Sequence, residues 1–197
     1  MILNIFKPKN WTSFDVVAKV RGVLKVKKAG HAGTLDPLAE GVLVVLTGDD
    51  TKKQAKFMEM EKEYIAEIAF GAESPTYDLE MLIPPYSAKK VEGKPMYKLA
   101  RQGVEMAEQR KTVTLSSIDV MEQKSRELNT DKGVVALPCV TLRIKCSSGT
   151  FVRSLAHELG EKLKMGGILI SLVRSAVGEY RVENSVKIED LVSQQSR

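Results

Sequence analysis

The chain has 197 residues, 43% of them hydrophobic, and a formal net charge of +5. That length and apolar fraction suit one large domain, or one domain with a small appendage. No apolar run approaches the roughly 18 residues of a membrane span, and Met1 to Phe6 lack the basic start and cleavage site of a signal peptide, so a cytoplasmic protein is expected. Two cysteines, Cys139 and Cys146, and two histidines, His31 and His157, are too few and too scattered for a zinc site. No metal is expected, and both cysteines read as reduced core thiols. The positive balance fits a polyanionic partner without requiring one.

Ile2 to Phe6 reads as a short strand, interrupted by Lys7-Pro8-Lys9-Asn10. Thr12 or Ser13 can cap a following helix, whose apolar positions Val16, Val17, Val20, Val23 and Leu24 keep helical spacing. Lys25, Lys27 and Lys28 favour its negative end. Gly30 to Gly41 holds three glycines and one proline, and reads as a loop. Val42 to Leu46 is a buried strand candidate, and Thr51 to Met60 looks helical. Lys62 to Phe70 alternates, with Tyr64, Ala66, Ile68 and Phe70 on one face of a strand.

Ser74 to Pro85 is turn-rich, and Met96 to Gln102 is a short helix stopped by Gly103. Thr112 to Met121 is a strand, and Ser125 to Gly133 a polar turn or mobile loop. Val140, Leu142, Ile144 and Cys146 alternate with Thr141, Arg143 and Lys145, a strand with one buried and one basic face. Ser147 to Thr150 breaks it. A helix then carries Val152, Leu155, Ala156, Leu159 and Leu163 on its apolar stripe, and Gly166-Gly167 ends it before the apolar run Ile168 to Val173. The pattern is mixed α/β, with several antiparallel-looking strands.

From spacing alone, Asp36 before Pro37 is a turn-forming residue, Tyr64 a core aromatic, Arg153 a solvated first-turn arginine, Leu172 core, and His31 an ordinary polar loop residue. A wider match changes those readings. Gly30-His31-Ala32-Gly33-Thr34-Leu35-Asp36-Pro37-Leu38-Ala39-Glu40-Gly41 resembles the central signature of the TruB family of tRNA pseudouridine synthases. Lys7-Pro8 with Thr12-Ser13-Phe14-Asp15, then Lys62-Glu63-Tyr64, then Pro84-Pro85-Tyr86-Ser87-Ala88 with Gly93-Lys94 and Tyr97, and finally Cys146 to Leu155 resemble four further family elements, in family order.

The resemblance implies a pseudouridine synthase fold of α+β type: a central mixed, largely antiparallel sheet flanked by helices and loops. Residues 1–180 would form the catalytic domain and 181–197 a short C-terminal tail. It implies isomerisation of a uridine in the T-arm of tRNA, uridine 55 by family habit, by a monomer without cofactor or metal. Asp36 would be the nucleophile, Arg153 the cation that holds it ionised and oriented, and Tyr64 the aromatic that meets an extruded base. Leu172 would line the uracil pocket and His31 contact RNA near the flipped nucleotide. Lys7 and Pro8 belong to the N-terminal element, and Lys7, Lys9, Lys25, Lys27 and Lys28 would supply phosphate contacts.

The chain also departs from the family pattern. Only five residues separate Asp78 from Pro84, where relatives carry several tens that clamp the T-loop. The usual C-terminal RNA-binding domain is expected to be missing, since a short tail follows Gly178, and Glu40 stands where a small residue is usual. Weaker tRNA binding, or reliance on a partner, is therefore expected. A non-catalytic RNA-binding or tRNA-folding module is the alternative to an enzyme.

Overall fold

The computed structural model describes residues 1–71, 90–91, 94–95, 112–130 and 133–195. The turn-rich connection Ser74 to Pro85, the Pro84 to Ala88 element, Gly93, Tyr97 and the short helix Met96 to Gln102 lie outside the described residues.

The elements run β1 (Ile2–Lys7), α1 (Ser13–Val23), β2 (Ala29–His31), β3 (Glu40–Thr47), a 3-10 turn (Gly48–Lys53), α2 (Gln54–Glu59), β4 (Lys62–Phe70), β5 (Lys90–Val91), β6 (Lys94–Pro95), β7 (Leu115–Thr130), β8 (Gly133–Cys146), α3 (Val152–Leu163), β9 (Gly167–Val177), β10 (Tyr180–Arg181) and α4 (Ile188–Gln195). One eight-stranded sheet follows the order β1-β3-β9-β4-β8-β7, with β2 beside β3 and β10 beside β9. All its pairs are antiparallel except β3 with β9. The fold is thus the expected mixed, largely antiparallel α/β sheet. Among the described residues, no helix is long and apolar enough to cross a membrane.

Helix α1 begins where its capping chemistry dictates. The Thr12 hydroxyl accepts from the Asp15 N–H at 3.1 Å, and the Asp15 carboxylate accepts from the Thr12 N–H at 2.8 Å. This reciprocal box satisfies two N–H groups that the helix leaves open. Its face Val16, Val17 and Val20 joins Tyr64, Ala66, Ile68 and Phe70 of β4 and Val152 and Ala156 of α3 in the main core. Ile188 and Leu191 of α4 enter the same core, and Val186 bonds to β1 through the Phe6 and Val186 N–H groups. At the end of α2, the buried Lys62 ammonium donates to the carbonyls of Met58 and Met60, which the helix leaves without partners.

Ser125 to Gly133, expected as a turn or mobile loop, is instead mostly strand. β7 runs on to Thr130 and pairs with β8 through Arg126↔Leu137 and Leu128↔Val135. The polar composition concealed this, because the stabilising contacts are not local. Arg126 ion-pairs with Glu67 of β4 at 2.6 Å, and Leu128 packs on Ala69, Leu137 and Cys139. The long hairpin is held by its neighbours rather than by intrinsic strand preference.

The parallel contact of β3 with β9 is only Glu40↔Val173 and Gly41↔Arg174. It requires glycine. Gly41 has φ 107°, and a Cβ there would stand 2.4 Å from the Arg174 carbonyl oxygen. A second close approach holds α3 on β9, since a Cβ on Gly160 would fall 2.0 Å from the Gly167 nitrogen. Gly41→Ala is expected to lower the melting temperature by at least about 5 °C, from roughly 1–3 kcal/mol of backbone strain plus the clash. Gly48→Ala is the control, with φ 59° and open space around the built Cβ. It should lose clearly less in the same calorimetric scan.

Candidate active site

Residues 32–39 lie against the sheet without belonging to it, so their peptide groups need partners from elsewhere. Ser13, the first residue of α1, supplies two at once. Its hydroxyl donates to the Leu35 carbonyl at 3.1 Å and accepts from the Leu35 N–H at 2.9 Å. The Asn10 N–H donates to the Pro37 carbonyl at 2.7 Å, and the Ala39 N–H closes a turn on the Asp36 carbonyl. Asp36 is thereby fixed at the rim of the loop, about one-third exposed.

Arg153 reaches it from the first turn of α3. Its Nε lies 2.8 Å from Asp36 Oδ2, with the guanidinium half as exposed as the carboxylate. Glycine and threonine set the approach. Gly149 takes φ 79°, and the Thr150 hydroxyl donates to the Ser147 carbonyl at 2.9 Å, turning the chain from β8 into α3.

Tyr64 of β4 is 8% exposed. Burial pushes its phenol up, and the charge of Arg174 and a hydrogen bond with it pull the other way. The Asp36 carboxylate also acts on the phenol and favours its neutral form. Leu172 is buried beside it in the main core, with Ala66 of β4 as cross-strand partner. The structure therefore brings Asp36, Arg153, Tyr64 and Leu172 to one side of the sheet.

His31 ends β2, and its ring meets the exposed ring of Phe14 edge-on, with centroids 5.4 Å apart. Burial and the charge of Arg174 pull its imidazole below the ordinary value. Lys7 sits unlike a surface phosphate contact. It is 0% exposed, and its ammonium donates to the carbonyls of Pro8 at 2.9 Å and Trp11 at 2.6 Å. The β1 alternation turns this position inward, while the four-carbon stem lets the ammonium stitch the 8–11 turn.

One residue of the site escaped sequence reading. Arg174 of β9 is 1% exposed. Its Nε donates to the Val42 carbonyl at 2.7 Å, and its two terminal nitrogens donate to the Thr34 and Gly33 carbonyls at 3.2 Å each. The available signal was a lone charge inside the apolar stretch from Ile168 to Val177, two positions from Leu172 and so on the same strand face.

The TruB family pseudouridylate synthase model (N-terminal domain) matches residues 21–84 and 80–152. The tRNA pseudouridine synthase B of Clostridium kluyveri is 36% identical over 98% of this chain and 72% of its own length. This chain belongs to the TruB family. The synthase B of Phocaeicola vulgatus is 37% identical over 95% of this chain and 90% of its own. The two family matches overlap at residues 80–84, within the short connection from Asp78 to Pro84. Among solved structures, a Cbf5-Nop10-Gar1 complex aligns with TM-score 0.71 and 26% identity, over 98% of this chain and 53% of that one. A structure of an H/ACA RNP bound to a substrate RNA containing 2'-deoxyuridine aligns with TM-score 0.69 and 26% identity, over 98% and 52%. The chain thus spans about half the length of those structural neighbours.

Burial lowers Lys7 from 10.5 to about 8, with Arg174 adding to the shift and the carboxylates of Asp36, Glu40 and Asp15 opposing it. Between about 8 and 10.5 the unfolded chain therefore binds the proton that the folded chain has lost, so this residue's contribution to stability rises with pH across that window. Denaturant unfolding at two pH values, near 8 and near 10, checks this. Wild type should gain stability relative to Lys7→Met on going to the higher pH. Parallel behaviour of the two proteins would show that Lys7 does not titrate there.

Proposed function

We propose that this chain is a tRNA pseudouridine synthase that isomerises a uridine in the T-arm, at uridine 55. The observation that carries the reading is the Asp36–Arg153 pair at 2.8 Å, on the loop that bears the family signature and across from Tyr64. The chemistry suits that set. The N1–C1′ bond of the uridine breaks, the uracil turns, C5 bonds to C1′, and the proton leaving C5 is balanced by one gained at N1. No atom or electron is added or removed overall.

The base must leave its stack to be turned. Asp36 is the nucleophile of this scheme, and the same carboxylate serves whether it attacks C1′, adds at C6 or removes a sugar proton. Arg153 pairs with it and aims it. Tyr64, held above its ordinary value by burial, is a neutral phenol near pH 7. It offers the base a ring to stack on and an O–H at hand when the C5 proton departs. Leu172 supplies an apolar wall, and His31 with Phe14 an aromatic edge for RNA. The relatives named tRNA pseudouridine synthase B support the tRNA substrate, and a cytoplasmic monomer is the form proposed for the enzyme. The short connection from Asp78 to Pro84 favours, as a second reading, a catalytic subunit that needs a partner to hold RNA.

Tritium release from 5-labelled uridine in a T-arm RNA tests the proposal. Wild type should turn over, and Asp36→Asn should lose at least ~10³-fold in rate with little change in melting temperature. Product formed only after adding cell extract would select the partner-dependent reading. RNA binding with no product under either condition would mean a non-catalytic module.

A further inference from the structure

We propose that Arg174 is the positioning residue of this site: its buried guanidinium fixes the backbone of the loop that carries Asp36 and orients the Tyr64 hydroxyl, so that carboxylate and phenol address one pyrimidine. This rests on the synthase reading above for its catalytic consequence, though not for its structural content.

A buried guanidinium is costly unless all its directions are used, and it is ordinarily matched with a carboxylate. Here the guanidinium donates to the main-chain carbonyls of Gly33, Thr34 and Val42 and also hydrogen-bonds the Tyr64 hydroxyl. Two of the carbonyls lie in the loop just before Asp36, and the third lies just after the loop re-enters β3. One rigid, planar fork thus ties both arms of the Asp36 loop to β9. Lysine has a single ammonium on a flexible stem and cannot span three separated carbonyls in one plane.

The strand register makes the same residue a hinge point between the two reactive groups. Tyr64 is the direct cross-strand partner of Arg174 on β4, and Gly41 is its partner on β3. Gly41 has no side chain, and a Cβ there would collide with the Arg174 backbone. The loop end therefore lies against β9 on one side while Tyr64 lies against it on the other. The influence of this cation on its neighbours agrees: it favours the ionised phenol of Tyr64 and disfavours the charged forms of Lys7 and His31. Arg153 does a different task, since it contacts the carboxylate itself and is partly open to solvent.

A residue that merely stabilised the fold would affect melting temperature and nothing specific to the site. The test therefore compares Arg174→Met and Arg174→Lys with Val44→Ala, a cavity in the separate core cluster around Phe57, at a temperature where all remain folded. In single-turnover assays with T-arm RNA, Arg174→Met should lose about 10²-fold in the chemical step. Its KM should move less than about threefold. Arg174→Lys should recover only part of the loss, and Val44→Ala should keep the wild-type rate. Independently of activity, a titration of ¹³C-tyrosine signals, assigned with Tyr64→Phe, should place the Tyr64 phenol higher in Arg174→Met than in wild type. Amide exchange at Thr34 and Leu35 should accelerate as well.

Equal rates in Arg174→Lys and wild type, or an unmoved Tyr64 titration with unchanged loop exchange, would overturn the proposal. If Arg174→Met does not fold, Arg174→Lys carries the same readouts. If wild type makes no pseudouridine with or without cell extract, the synthase reading fails, while the tyrosine titration and amide exchange still decide the role of Arg174.

Discussion

Carbonyl oxygens of Gly33, Thr34 and Val42 converge on one buried guanidinium, and the candidate site is arranged around that convergence. A glycine-rich loop pressed against a sheet carries peptide groups that neither water nor a strand ladder can serve. Each one left unpaired costs about 1–3 kcal/mol. The partners come from three places remote in sequence: Arg174 on β9, the Ser13 hydroxyl at the start of α1, and the Asn10 N–H in the turn after β1. The position of Asp36 is therefore a property of the assembled domain rather than of its own segment.

The electrostatics follow from the same packing. One carboxylate stands among cations of different standing. Arg153 is half-buried at a helix start and pairs with Asp36 directly. Arg174 is enclosed and, among the described residues, neutralised by no carboxylate. Lys7 is enclosed too, with its ammonium spent on two carbonyls and its affinity for the proton reduced to about 8. Asp36 thus stands near several cations rather than in one enclosed pair, and a partly exposed ion pair alone is worth little.

Two backbone contacts set the distances on which this arrangement depends. Gly41 lets β3 meet β9, and Gly160 lets α3 settle on Gly167 at the start of β9. The first brings the Asp36 loop to Arg174, and the second carries Arg153 on the same strand's support. Leu172 and Arg174 project from β9 between these supports, with Tyr64 across the ladder. A single strand thus sets the spacing of the apolar wall, the enclosed cation and the phenol. The strand lies in the middle of the sheet, where pairing on both sides restricts its movement.

Sequence by itself determined the strands β1 and β4, the capped helix α1, the apolar stripe of α3 and the irregular Asp36 loop. Each of these is written in local terms: a period of two or of about 3.6, a Thr-x-x-Asp box, glycines around a proline. The ordered motif resemblances, the last of them running from Cys146 to Leu155, brought Asp36, Tyr64 and Arg153 to notice. Tertiary structure alone decided that Ser125 to Thr130 is strand, because its support comes from Glu67 and Leu137 across the sheet. It decided that Lys7 faces inward, because one alternation in a short strand does not reveal which side will be covered. And it decided the place of Arg174, whose worth lies in carbonyls more than 130 residues away. Main-chain oxygens look alike in every sequence, so a charge that exists to satisfy them becomes legible only when the chain has folded around it.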